Sequence, residues 1–171
     1  VYPQPVTGEV KPSVATDWST SSDGLTWTFK LRTDVKFHDG TPLTADDVVF
    51  SLNRMLTMGQ GYSYLFTPYV DKVSAPDAQT VVITLKTPIG PFIGFLARIY
   101  ILNSKVVTSN FQKPGAYGDN GDYGTKWLTT NDAGSGPYKI KEAKLEEYVL
   151  MERFKDYWGQ FNPKAPDQFK M

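Results

Sequence analysis

Residues 26–56 read TWTFKLRTDVKFHDGTPLTADDVVFSLNRML, a strand, a tight turn and a capped helix in direct succession. Trp27, Phe29 and Leu31 alternate with Thr28, Lys30 and Arg32, the period of two of a sheet with one buried and one solvated face. Val35-Lys36-Phe37 adds a short extended piece. At His38-Asp39-Gly40 the chain reverses, because Gly40 accepts a positive φ without a steric penalty. Thr44 then stands where its hydroxyl can accept from a free amide of a first helical turn, and Asp46 and Asp47 sit at the positive end of the helix dipole. Val48, Val49, Leu52, Met55 and Leu56 recur at helical spacing with Asp47, Ser51 and Arg54 turned away, which predicts an amphipathic helix lying on the sheet.

Further signals extend this pattern in both directions. Val1 to Asp17 holds three prolines and reads as extended chain with a turn at Thr7-Gly8, and Asp23-Gly24 makes the turn that feeds the Trp27 strand. Thr57–Pro68 is an aromatic loop or short helical turn carrying Tyr62, Tyr64 and Phe66. Val70–Ala75 and Thr80–Lys86 form a predicted hairpin joined at Pro76-Asp77, with Val81, Ile83 and Leu85 on one face. Pro91 suits the first turn of a short helix through Ala97, where its missing amide is no loss. Tyr100-Ile101-Leu102 reads as a returning strand. Residues 112–130 show no sustained period and form a predicted surface excursion with one helical turn near Trp127. The stretch 131–137, NDAGSGP, reads as a flexible joint and a boundary. Beyond it, 138–141 and 147–154 pair as antiparallel strands.

The composition excludes several functions. Eighteen basic residues balance eighteen acidic ones, so the charge footprint of a nucleic-acid binder is missing. The longest uncharged apolar stretch, 87–97, is far short of the ~20 residues that span a bilayer. Zero cysteines exclude disulfides and thiolate metal sites, and they leave the redox compartment open. His38 is the only histidine, and beside Asp39 in a turn it reads as a hydrogen-bonded structural residue rather than a catalytic base. Asp46-Asp47 and Glu146-Glu147 are neighbours pointing in different directions, unlike two carboxylates flanking a scissile bond. Asp119-Asn120-Gly121-Asp122-Tyr123-Gly124 hints at a calcium loop, but Gly121, Tyr123 and Thr130 stand where oxygen ligands would be needed. Gly134-Ser135-Gly136-Pro137 lacks the lysine and the amide of a phosphate loop. No metal and no cofactor is expected. With no leader and no initiating methionine, the chain reads as excised from a longer protein.

The run KPSVATDW at 11–18, SSDGLTWTFKLR at 21–32 and VKFHDGTPLTADDVVFSLNRM at 35–55 resembles the signature of the family 5 extracellular solute-binding proteins of ABC transporters. The resemblance resumes at Val70–Val73, Thr80–Lys86, Pro91–Leu96, GSGPYKI at 134–140 and ERFKDYWG at 152–159. It implies an α+β fold, the small sheet-and-helix domain of a periplasmic-binding-protein-like type II architecture plus a hairpin of the main lobe. On that analogy 1–7 are an extended lead-in from the main lobe, 8–131 the smaller domain and 132–171 strands re-entering the main lobe.

Function follows from the same analogy. The resemblance implies the solute-binding receptor of an ABC importer, closing its lobes on a solute and delivering it to membrane permease subunits. It would be periplasmic or extracellular, and lipid-anchored at the surface in a Gram-positive organism. Peptide is the expected solute, with a nickel chelate or a sugar as alternatives. Tyr62 and Tyr64 match a family segment that places an aromatic side chain toward the solute, the alternative being that Tyr64 and Phe66 fill the core. Arg98 follows the short helix where some nickel-binding relatives present an arginine to an anionic chelator, the alternative being a snorkelling surface side chain. No enzyme is expected. The competing classes are a secreted hydrolase with a β-rich accessory domain, which would need an acid and a base in one cleft, and a stand-alone interaction module.

Overall fold

A computed structural model of the chain describes residues 10–162 and 164–171, together with the backbone of residues 2 and 3. The turn expected at Thr7-Gly8 and most of the 1–7 lead-in lie outside the described residues. Within this range the chain divides into two compact units, Val1–Thr33 with Thr44–Ile101, and Asp34–Leu43 with Leu102–Met171.

The first unit is built on a four-stranded antiparallel sheet in the order β3 (Ala15–Thr20), β4 (Thr26–Leu31), β6 (Thr80–Leu85), β5 (Val70–Asp77). A two-residue pair, β1 (Tyr2–Pro3) and β2 (Val10–Lys11), precedes it. The expected alternation is present: Phe29 lies opposite Val81 and Trp27 opposite Ile83, and Phe29, Leu31, Val81, Ile83 and Leu85 are all buried. Strand β5 runs on through Pro76-Asp77, so the hairpin turns at 78–79, two residues later than expected. Asp77 causes this by receiving the Gln79 amide at 2.9 Å and the Thr80 hydroxyl at 2.7 Å, which closes the turn after it.

Helix α1 (Ala45–Met58) lies against β5 and β6 and buries Leu52 to 1% exposure, worth about 2 kcal/mol for such a side chain. Its start is a capping box in which the Asp47 carboxylate receives the Thr44 amide at 2.9 Å and the Thr44 hydroxyl at 3.0 Å. Asp47 and Ser51 are therefore buried rather than turned away as the spacing suggests. Short-range hydrogen bonds, Asp47 to Thr44 and Ser51 Oγ to the Asp47 carbonyl at 2.7 Å, let both polar side chains enter the packed face. Gly59, at φ 65°, ends the helix with its amide on the Met55 carbonyl.

After the sheet comes α2 (Phe92–Phe95) and a 3-10 turn, Leu96–Arg98, in place of one short helix through Ala97. A run of rings joins strand to helix: Trp27 to Phe92 at 5.6 Å, Phe92 to Phe66 at 6.4 Å and Phe66 to Phe95 at 6.2 Å. Tyr100 and Ile101 do not form the strand expected of them: Tyr100 stands 80% exposed, and Leu96, Ile99 and Ile101 instead line an apolar cavity of about 140 Å3 floored by Phe29, Val81 and Ile83.

The second unit holds the turn segment 34–43, where Val35 and Phe37 are each 1% exposed and Lys36 bridges to Pro42. Helix α3 (Ser104–Ser109), which the sequence pattern did not reveal, is capped by Asn103. Residues 112–130 form a closed excursion rather than an open one. The Asp122 carboxylate gathers the amides of Gln112, Gly124 and Lys126 at 2.8–2.9 Å, and Tyr123 packs on Phe111 and Tyr117. The helical turn at Trp127 is present. Strands β7 (Tyr138–Lys144) and β8 (Tyr148–Arg153) pair antiparallel as expected, and β9 (Gln168–Lys170) adds an unforeseen third strand beside β8. Rings of Tyr138, Tyr157, Phe161 and Phe169 fasten the intervening loop, with the Arg153 guanidinium 4.5 Å over Phe161.

Candidate functional site

Tyr62, Tyr64 and Arg98 belong to the first unit, and the fold brings them together. The 3-10 turn Gly61–Leu65 follows α1 directly, freed by the positive φ of Gly59 and Gly61. Its period of three sends Ser63 and Phe66 inward, 5% and 0% exposed, and Tyr62 and Tyr64 outward, 39% and 65% exposed. The two readings left open for this segment thus separate by residue: Phe66 fills the core and Tyr64 does not.

Arg98 arrives from the other direction. Because Leu96, Ile99 and Ile101 are anchored over the apolar cavity, Arg98 and Tyr100 are turned to the opposite, solvent side. The Arg98 guanidinium lies 5.1 Å from the centre of the Tyr62 ring. Such an exposed cation–π contact contributes about 0.5–1 kcal/mol. Among the described residues no carboxylate pairs with Arg98. Together with Tyr64, Leu65, Pro91, Gly94 and Phe95 it lines an open recess whose walls are aromatic and whose one charge is positive. Such a surface can stack an unsaturated or peptide-like group and donate hydrogen bonds to a planar oxyanion. It supplies neither a general base nor a nucleophile. In the sequence Pro91 and Phe95 stand as residues of a short helix, and nothing in their spacing marks them as lining this recess.

His38 occupies a different centre, in the second unit. Its side chain is 11% exposed. The amide of His38 donates to the Gly134 carbonyl at 2.9 Å, Nε2 meets the Gly136 carbonyl at 3.0 Å and Nδ1 meets Asp132 Oδ1. The edge of Phe154 closes one side at 5.0 Å. Asp132 also accepts the amides of Ile140 at 2.7 Å and Gly134 at 3.2 Å. Burial raises the pKa of this carboxyl, but the hydrogen bond from His38, the Ile140 amide, the charge of the ring and the Gly134 amide together outweigh it and hold it below the usual carboxylate value. With both ring nitrogens engaged, His38 has none free to act as a base, in keeping with the structural reading of this residue.

The stretch 131–137, expected to be a flexible joint, is tied down at 132, 134 and 136 by that one side chain and its backbone. Permissive residues here serve close approach: a Cβ on Gly134 would stand 3.4 Å from His38 Cε1. The Asp122 oxygens of the calcium-like stretch are occupied by amide donors, which also hold that carboxyl below its usual range, the Gln112 amide foremost. No group of acidic or histidine side chains among the described residues is arranged to hold a metal ion.

The model of the bacterial extracellular solute-binding proteins, family 5 middle, matches residues 9–171. A probable D,D-dipeptide-binding periplasmic protein of Escherichia coli K12 is 38% identical over 146 residues, covering 84% of this chain and 26% of that protein. NikZ from Campylobacter jejuni, solved in complex with Ni(L-His), superposes with a TM-score of 0.74 at 28% identity, covering 88% of this chain and 28% of that one. DppA from Helicobacter pylori, solved with the peptide STSA, superposes at 0.72 and 26% identity, covering 99% of this chain and 35% of that one. The chain spans a little over a quarter of the length of the curated relatives it matches.

Proposed function

The chain belongs to the family 5 bacterial extracellular solute-binding proteins, and from that membership we propose that it forms part of the receptor of an ABC importer, capturing a peptide outside the cytoplasm for membrane permease subunits. The observation that carries the assignment of a contact surface is the Arg98–Tyr62 pair. A cation stacked on an exposed ring, without an acidic partner among the described residues and beside the 65% exposed Tyr64, is a surface prepared for a ligand rather than for its own fold. On this reading the first unit supplies one wall of the solute cleft, and β7 and β8 enter the main lobe. Peptide is favoured over a nickel chelate or a sugar because aromatic faces with one cation suit a backbone ending in a carboxylate. No helix among the described residues is long and apolar enough to cross a membrane.

One wall binds weakly. If an intact receptor held its peptide at about 1 μM, or about −8.2 kcal/mol, half of that contact energy would leave about −4.1 kcal/mol, which is millimolar. The test is a nuclear magnetic resonance titration of this chain with tri-alanine and with tri-alanine amide. Tri-alanine is expected to perturb the Arg98 Nε and the Tyr62 and Tyr64 ring signals with a millimolar dissociation constant, weakened further in Arg98→Ala. A micromolar constant, or perturbations that avoid Arg98, would contradict the assignment.

A further inference from the structure

His38 faces two groups that only accept. The Gly136 carbonyl carries lone pairs alone, and the Asp132 carboxylate, already receiving the Ile140 and Gly134 amides, is an acceptor as well. A neutral imidazole has one N–H and can satisfy one of them; an imidazolium has two and satisfies both. We infer that His38 is a pH-sensitive latch: as an imidazolium it bridges Asp132 and the Gly136 carbonyl and fastens 131–137 to the turn at 37–41, and on losing its proton it releases the Gly136 side.

Release falls on Gly136 because the charged acceptor keeps the remaining proton. Nδ1–H stays on Asp132, and the Nε2 lone pair is left 3.0 Å from the Gly136 oxygen, a repulsive contact. Asp39 and Asp156, charged groups on the neighbouring turn and loop, have partners of their own. Phe154 offers a ring edge, Asp39 is turned to the Thr41 hydroxyl and Asn103, and Asp156 pairs with Lys36 at 3.5 Å. The lowered pKa of Asp132 keeps that carboxylate an ionised acceptor. Two bonds report on the two sides of the latch. The Phe154 amide donates to the Pro137 carbonyl at 2.8 Å, next to Gly136, whereas the Ile140 amide donates to Asp132.

This device does not depend on which solute is bound. Because His38 is the only histidine, long-range 15N spectra read its proton state without ambiguity, and hydrogen exchange on the same sample gives protection factors for the Phe154 and Ile140 amides. As the ring goes from doubly to singly protonated, Phe154 is expected to lose about tenfold in protection, the effect of losing one hydrogen bond to a charged group, while Ile140 holds. In His38→Gln the ratio of the two is expected to be independent of pH. Unchanged Phe154 protection over a neutral ring overturns the latch, as does a pH-dependent ratio that survives in His38→Gln. Should that variant not fold, the wild-type titration decides alone.

Discussion

Asn103 Nδ2 donates at 2.9 Å both to Asp39 Oδ2 and to Thr41 Oγ1, while its Oδ1 accepts the Val106 amide at 3.1 Å. One buried amide thus starts α3 and holds the turn at 39–41 that follows His38. Removing it leaves a missing cap and unpaired partners, so Asn103→Ala should cost about 2–4 kcal/mol in urea unfolding. Asn103→Asp keeps the cap but sets a carboxylate against Asp39, and it should recover less than half of the loss at pH 7 and more at pH 4.

Asp132 sets an acid limit to stability. Its folded-state pKa lies below the unfolded value of about 3.9, so its contribution is fully present above that value and is lost as pH falls through the folded one. Wild type should therefore lose stability steeply below pH 4. With its side chain 22% exposed, breaking the contact should cost less than a fully buried pair would, about 2 kcal/mol at pH 6. In Asp132→Asn the free energy of urea unfolding should drop by that amount at pH 6 and depend less on pH between 6 and 3; equal slopes for the two proteins would remove Asp132 as the cause.

The apolar cavity lined by Ala15, Val48, Leu52 and Ile99 offers a site where added volume meets space. Ala15→Val, at the start of β3 where a β-branched residue suits the strand, should raise stability by about 1 kcal/mol. Leu52→Ala enlarges the void and should cost about 3 kcal/mol. Calorimetric melting of both variants checks the pair, and destabilisation by Ala15→Val would mean that the void is not available to a side chain.

Glycines of the 112–124 excursion separate strain from collision. Gly118 has φ 60° with open space where a Cβ would be, so Gly118→Ala should cost about 1 kcal/mol. Gly121 has φ 57°, and its Cβ would stand 2.3 Å from the Gln112 oxygen. Backbone must move there, and Gly121→Ala should cost at least twice as much, with the Gln112 and Gly124 amides losing exchange protection as the Asp122 cluster opens.

Legibility in the sequence tracked the range of each interaction. Strand β4 could be read because alternation is a property of adjacent residues, and α1 because Thr44, Asp46 and Asp47 lie within one turn of its start. The same local pattern misjudged Asp47 and Ser51, whose burial depends on hydrogen bonds that no polarity scale records. Strand β9 escaped because its pairing partners lie in a strand earlier in the chain and its three residues, Gln168-Phe169-Lys170, are too few for their alternation to establish a period. Tyr62, Tyr64 and Arg98 were singled out by residue type and resemblance, but their assembly depended on two segments more than thirty positions apart meeting.

By itself, the sequence determined the family, the order of most strands and helices and the turns at Asp23-Gly24 and Asp39-Gly40, since these rest on short-range periodicity, caps and glycine placement. Only the tertiary structure decided which tyrosine faces solvent, that Arg98 lies on Tyr62, and that His38 grips a stretch ninety-four residues away at Asp132. Those outcomes depend on where separate segments are brought by the burial of Phe66 and Phe92 in the first unit and of Val35, Phe37 and Phe154 in the second, and a packed core is a property of a folded unit rather than of any stretch within it.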